Sequence, residues 1–257
     1  MGYSKDIVVW ITGASSGLGE ALAVEFGRQG AKIILSGRNM ESLESVQSKI
    51  SDSRIVAFDI SDPSILKEKV DEAIAAYGHI DIVIHNAGIA QSSTAFDTES
   101  DVENKILQVD YFSPIQLSKY LLPHFMERKS GHIVAVSGLL AYLNLSGRST
   151  YAGAKAALNA YFGCLRAEVK PLNINVTVLI PGSLSTNLVN KALTGDGNIV
   201  KNKRDVQGYP LDKAAKKIVS AISKKKYQTY VGSKKEFIMW KLHGLYPNFV
   251  IKQILNR

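Results

Sequence analysis

Tyr151 and Lys155 stand four residues apart near the start of a run, 150–168, that reads as a helix, so their side chains share one helical face. An ammonium beside a phenol favours the phenolate, and the pair is expected to bring the tyrosine pKa down from its usual value of about 10. Such a tyrosine protonates an alkoxide forming at a carbonyl, or deprotonates an alcohol in the reverse direction. Spacing alone does not single this pair out, because Tyr209/Lys213 and Tyr230/Lys234 repeat it. Context does. Tyr209 is followed by Pro210 and a lysine-rich helix, and Tyr230 falls in a predicted strand, where residues four apart lie well separated. Only Tyr151 opens a helix full of small residues (Ala152, Gly153, Ala154, Ala156, Ala157) downstream of a core strand.

A proton-transfer pair needs a partner that carries the electrons, and the N-terminus offers a place for one. A short apolar run at 7–11 leads into Thr12-Gly-Ala-Ser-Ser-Gly-Leu-Gly19 and then a helix beginning near Glu20. Gly13 allows a sharp turn. Gly17 and Gly19 let backbone approach a pyrophosphate and let the helix pack close to the sheet, while Ser15, Ser16 and Leu18 flank the N–H groups at the helix start. Glycines alone are weak, but a strand before and a helix after make this a dinucleotide-binding turn. The next strand ends in Ser36-Gly-Arg-Asn39. A carboxylate there would hold the ribose 2′-OH of NAD, whereas Arg38 suits the 2′-phosphate of NADP. NADP(H) is the expected cofactor and NAD(H) the less favoured one.

The elements that must position these groups alternate from end to end. Strand-length runs at 7–11, 32–35, 54–58, 80–84, 132–136 and 173–180 are each followed by a helix-length amphipathic segment. Strands such as Asp81-Ile-Val-Ile-His85 lack polar alternation and read as covered on both faces. The pattern predicts an α/β fold, a Rossmann-like doubly wound parallel sheet in a single domain spanning 1–257. Asp62-Pro63 is expected to open one helix. An irregular stretch at about 186–210, with Gly195, Gly197 and Gly208, is expected to be a mobile substrate loop.

Together these blocks resemble the short-chain dehydrogenase/reductase family over nearly the whole chain. They are Thr12-Gly-x-x-x-Gly-x-Gly19, Asp59, Asn86-Ala87-Gly88, Tyr151-x-x-x-Lys155 and Pro181-Gly182-x-x-x-Thr186, in the family's order and spacing. The resemblance implies that Asp59 and Ile60 border the adenine and that Asn86, Ala87 and Gly88 line the cofactor cleft. It also implies that Lys155 bonds the nicotinamide ribose and that Thr186 lies near the carboxamide. The nearest flavour is the NADPH-using carbonyl, lipid and steroid reductases, with dimers or tetramers the usual assembly. Two positions depart from the pattern. Where the family has a serine for the substrate oxygen this chain has Gly138, with Ser137 one residue earlier as the candidate substitute. Where it has a helix asparagine this chain has Asp110, which can hold a water and favour a charged Lys155 but, when ionised, cannot donate. Losing an oxyanion donor typically costs on the order of 10²–10³ in rate.

Composition sets the remaining bounds. The formal net charge of +8 is uneven: from residue 200 onward, fourteen Lys and Arg face three acids, which leaves the preceding residues net acidic. The segment 224–257 mixes these cations with large apolar residues, a composition suited either to an anionic membrane surface or to a final helix closing the substrate pocket. One cysteine, Cys164, suits a reducing compartment, and five histidines without paired spacing predict no metal site. No run has the length of a membrane span, and Gly2 lacks the myristoylation pattern because Asp6 stands where Ser or Thr is needed. The expectation is a cytoplasmic carbonyl/alcohol oxidoreductase, peripheral to membranes if the tail docks, a homo-oligomer without nucleic-acid partners. The competing readings are a cofactor-binding sensor or scaffold with impaired catalysis, and a membrane-surface interaction protein.

Overall fold

The structure, a computed structural model, describes residues 6–201 and 207–255. Part of the predicted loop, with Lys203, Arg204 and Asp205, lies outside the described residues, as do Gly2 and Arg257. Seven parallel strands form one sheet: β1 (Val8–Thr12), β2 (Lys32–Ser36), β3 (Ser53–Ile55), β4 (Ile82–His85), β5 (Gly131–Val136), β6 (Ile174–Pro181) and β7 (Gln228–Val231), in the order β3-β2-β1-β4-β5-β6-β7. Side-chain alternation gives each face its helices. Val9, Ile11, Ile33 and Leu35 pack under α1 (Gly17–Arg28), α2 (Met40–Gln47) and α7 (Leu211–Ser223). Val8, Trp10, Ile34 and Ile133 pack under α3 (Leu66–Tyr77), α5 (Ser113–Arg128) and α6 (Ser149–Val169). Each fully buried large side chain stabilises by roughly 1.5–3 kcal/mol relative to exposure. Trp10 keeps its indole N–H satisfied in this core by donating to Ser36 Oγ at 2.8 Å.

Strand order reverses between β1 and β4, which opens a crevice at the carboxyl ends of the strands, the place where this architecture binds ligands. Every residue of β1, β4 and β5 is buried, so these strands carry no polar face.

Two local expectations are corrected. The predicted strand 80–84 begins later, at Ile82, because Asp81 is occupied at the strand edge: its N–H donates to Val8 O and its carboxylate accepts from Val8 N–H and Arg128. Asp62-Pro63 does not open a helix. Asp62 accepts from the N–H and hydroxyl of Ser64 in a local turn, and α3 starts at Leu66. The described part of the stretch 186–210 is folded against its surroundings, with bridges Gln91–Leu193, Leu193–Ile199 and Leu184–Tyr209 and a short 3₁₀ turn at Val189–Lys191. Three further helices complete the chain: α4 (Ser100–Leu107), α8 (Lys234–Leu245) and α9 (Pro247–Leu255). Among the described residues no helix is long and apolar enough to cross a membrane.

Candidate active site

A cleft of about 1290 Å³ runs along the carboxyl ends of the strands, from Arg38 and Asp59 at one end, past Tyr151 and Lys155, to Met239 and Ile254 at the other. Its first half is built by the turn after β1. Gly13 and Gly17 have φ of 65° and 61°, which side chains rarely adopt. Gly19 is required by contact: a Cβ there would sit 2.1 Å from Gly13 O. The loop after β4 is tied to this turn. Asn86 Nδ2 donates to Thr12 O and Gly13 O at 3.0 and 3.1 Å, and Thr12 Oγ1 accepts from the N–H groups of Asn86 and Ala87.

The Ser16 side chain makes no capping bond at the start of α1, so the helix keeps its first-turn N–H groups and the positive end of its dipole for an anion. Leu18 is buried beneath the turn, and Ser15 and Thr186 approach the turn at Gly37 and Gly17. Asp59 accepts from the N–H and hydroxyl of Ser61, and Arg38 lies 3.7 Å away on its other oxygen. Burial pushes the Asp59 carboxyl up, but these partners outweigh it and hold it below the usual range. The Ile60 carbonyl accepts from Ser113 Oγ at 2.6 Å, fixing this edge to the head of α5. The uncapped helix terminus, the glycines that cannot bear a Cβ and the lone arginine after β2 fit a dinucleotide.

The second half holds Tyr151 and Lys155, and Gln91 positions them. This fully buried glutamine accepts at Oε1 from Thr150 N–H (2.8 Å) and Tyr151 N–H (3.3 Å), capping α6 where the tyrosine sits. Lys155 Nζ donates to Val136 O at 3.1 Å, lies 3.4 Å from Asp110 Oδ1 and is 5.8 Å from the Tyr151 ring centre. Asp110 sits on a π-helical turn, Gln108–Phe112, inserted between α4 and α5, and its carboxylate also accepts from Ile89 N–H. Gly88 makes room for it, since a Cβ there would fall 2.6 Å from Asp110 Oδ1.

Electrostatics differ from the sequence expectation for the tyrosine. Burial pushes the Tyr151 phenol up, and the Asp110 charge pushes it further; Arg148 offsets part of this. Burial also raises the Asp110 carboxyl, to about 6, against the opposing pull of Lys155.

Ser137, the candidate substitute for the missing serine, borders the cleft with its hydroxyl already engaged. It lies on the opposite side of the extended chain, 3% exposed, and its hydroxyl donates to Lys155 O at 3.1 Å. Position 138 is the one that faces the tyrosine, because a Cβ built on Gly138 would lie 3.6 Å from Tyr151 Oη. The other two tyrosine–lysine spacings are structural. Tyr209 pairs its backbone with Ser183 and Ser185, and Tyr230 donates its hydroxyl to Ser233 O and stacks on Trp240.

Two site roles escaped the sequence reading, that of Gln91, expected only as a pocket wall, in capping α6, and that of Glu236. Gln91 leaves no local signal, because its partners are 59 and 60 positions away. Glu236 was findable from Ser233-x-x-Glu236, a capping box that starts α8. Its second oxygen accepts from Ser183 N–H at 2.8 Å, which ties the C-terminal helices to the loop carrying Pro181 and Gly182. Gly182 is needed there, as a Cβ would meet Glu236 Oε2 at 2.6 Å.

Comparison with known proteins gives the family and the fold. The family model described as short chain dehydrogenase matches residues 7–196. Dehydrogenase/reductase SDR family member 7B of Mus musculus is 39% identical over 234 residues, covering 87% of this chain and 72% of that protein. The protein of the same name from Rattus norvegicus is 40% identical over 236 residues, 87% and 73% of the two chains. Among solved structures, a short-chain dehydrogenase from Streptomyces avermitilis matches with a TM-score of 0.83 at 26% identity over 96% of each chain. A metagenomic short-chain oxidoreductase in complex with NADP has a TM-score of 0.74 at 22% identity, over 89% of this chain and 98% of that one. A short chain dehydrogenase/reductase from Burkholderia phymatum in complex with NAD reaches 0.82 at 16% identity, over 95% and 94%. These last two share the fold. The chain belongs to the short-chain dehydrogenase/reductase family and is an oxidoreductase of CH–OH groups.

Proposed function

We propose that the chain is an NADP(H)-dependent oxidoreductase that interconverts a carbonyl and an alcohol on an apolar, lipid-like substrate, with Tyr151 as general acid/base. The observation that carries this reading is that one cleft holds both the uncapped α1 terminus and, farther along, Tyr151 above the buried Lys155. Arg38 stands after β2 in Ser36-Gly-Arg-Asn39, a stretch that carries no acid of its own, and supports the 2′-phosphate form of the cofactor. Leu139, Leu143, Leu145, Met239 and Ile254 line the far end and support an apolar substrate. NADP(H) supplies or accepts the hydride when bound. The first-turn N–H groups of α1 would hold its pyrophosphate and Arg38 its 2′-phosphate. A phenol raised by burial is protonated at neutral pH, which suits carbonyl reduction: Tyr151 Oη gives its proton to the carbonyl oxygen and regains one from solvent. The Lys155 ammonium stabilises the transient phenolate, and Asp110 and Val136 O hold that ammonium in place.

Gly138 favours a second reading, a cofactor-binding protein with impaired catalysis, because no side chain at that position donates to the substrate oxygen. The test is NADPH oxidation across a panel of ketones and aldehydes, with Tyr151→Phe alongside. Turnover that falls by about 10²–10⁴ in the variant establishes the mechanism. Tight NADPH binding with no turnover on any carbonyl selects the second reading, and turnover unchanged in the variant refutes the role of Tyr151.

A further inference from the structure

The C-terminal helices α8 and α9 carry apolar residues on both sides. Their inner side is already packed: Val250 is buried, and Met239, Trp240, Leu242 and Ile254 lie against Leu139, Leu143, Ile180 and Tyr230. Their outer side still presents Phe237, Ile238, Leu245, Phe249, Ile251 and Leu255, with Leu245 and Leu255 73% and 77% exposed. Four lysines stand among them, Lys234, Lys235, Lys241 and Lys252, all exposed. Ile238, Lys241 and Leu245 fall at i, i+3 and i+7, so cation and hydrocarbon share one stripe of α8. Lys241 lays its chain over Trp240, with Nζ 4.6 Å from the ring centre, leaving the charged head at the surface.

We propose that this outer face docks on an anionic phospholipid bilayer. Large apolar side chains interleaved with lysines match the acyl boundary beneath and the phosphates above it. Charge decides between this occupant and a second copy of the chain. On α8 and α9 there are four lysines and one acid, Glu236. Glu236 is committed to Ser183 N–H, Ser233 and Tyr230. A two-fold pairing of this face would therefore set lysines against lysines with no carboxylate between them. Anionic headgroups supply the missing counter-charge. The same helices turn Met239 and Ile254 into the cleft, so lipid contact and substrate wall lie on opposite sides of one helix pair.

The test is flotation of the full chain with vesicles of phosphatidylcholine containing 30% phosphatidylserine, against vesicles of phosphatidylcholine alone. It needs neither cofactor nor turnover, so it stands or falls apart from the proposed reaction. The chain is expected to float with the anionic vesicles only. An Ile238→Asp/Leu245→Asp/Leu255→Asp variant is expected to stay at the bottom of the gradient, with unchanged circular dichroism and NADPH binding. Lys241→Gln/Lys252→Gln, which leaves every apolar contact in place, is expected to weaken partitioning about fivefold per lysine, the loss diminishing at high salt. No flotation on anionic vesicles overturns the proposal, as does flotation that the aspartate variant leaves intact. A dimer in gel filtration that the aspartate variant breaks, without vesicle binding, overturns it in favour of self-association.

Discussion

The two halves of the cleft contrast in how tightly they are determined. At the cofactor end, backbone does the work: glycines with positive φ or no room for a Cβ, an uncapped helix start, and an asparagine bridging two turns. At the substrate end, side chains do it, and two of them, at 110 and 138, differ from the family's usual choice. A backbone-built site tolerates almost no substitution at its glycines, whereas a side-chain site can lose a donor and keep its shape. The first half is therefore expected to bind as its relatives in fold do, and the second to set the rate.

The largest effect is expected at the backbone end. Gly19→Ala places a methyl 2.1 Å from Gly13 O, a fixed backbone atom, and should abolish NADPH binding in a fluorescence titration. Retained binding would break the contrast at its firmest point. Next, Gly138→Ser restores a donor facing Tyr151 Oη without crowding, since 3.6 Å is ordinary contact. We expect kcat to rise by about 10²–10³ with the NADPH Kd unchanged; an unchanged kcat would mean the substrate oxygen lies elsewhere.

Smaller effects sharpen the picture. Arg38→Ala should weaken NADPH by about tenfold or more, the loss of a charge-assisted contact, while leaving NADH nearly unaffected. Equal losses would remove Arg38 from cofactor choice. For Asp110→Asn the signal is in pH. The Asp110 carboxyl is raised to about 6 in the fold, so the native chain binds this proton more strongly than the unfolded one. Its contribution to stability is present at low pH and is lost as pH rises from about 4 through 6. Between pH 5 and pH 8 in urea unfolding, the native chain should lose ~1 kcal/mol relative to the asparagine variant. A pH-independent difference would show that Asp110 titrates normally.

Much of this was legible in residue order. Ile82-Val-Ile-His85 reads as a strand buried on both faces, because it lacks polar alternation, and all four residues are buried. The turn at 12–19 declares its geometry because only glycine meets both its φ and its contacts. Helix starts were less legible: Asp62-Pro63 has the right composition for one, but Ser64 captures the carboxylate in a turn.

What residue order by itself determined is the sheet, the dinucleotide turn and the helical face shared by Tyr151 and Lys155, since each depends on neighbours within a few residues. Tertiary structure alone decided the rest. Gln91 caps α6 from 60 positions away. A π turn aims Asp110 at Lys155, and the extended chain at Ser137-Gly138 turns the hydroxyl from the tyrosine and the bare position toward it. The direction of the Tyr151 shift was also decided there, because burial and the field of Asp110 depend on what folds around the phenol.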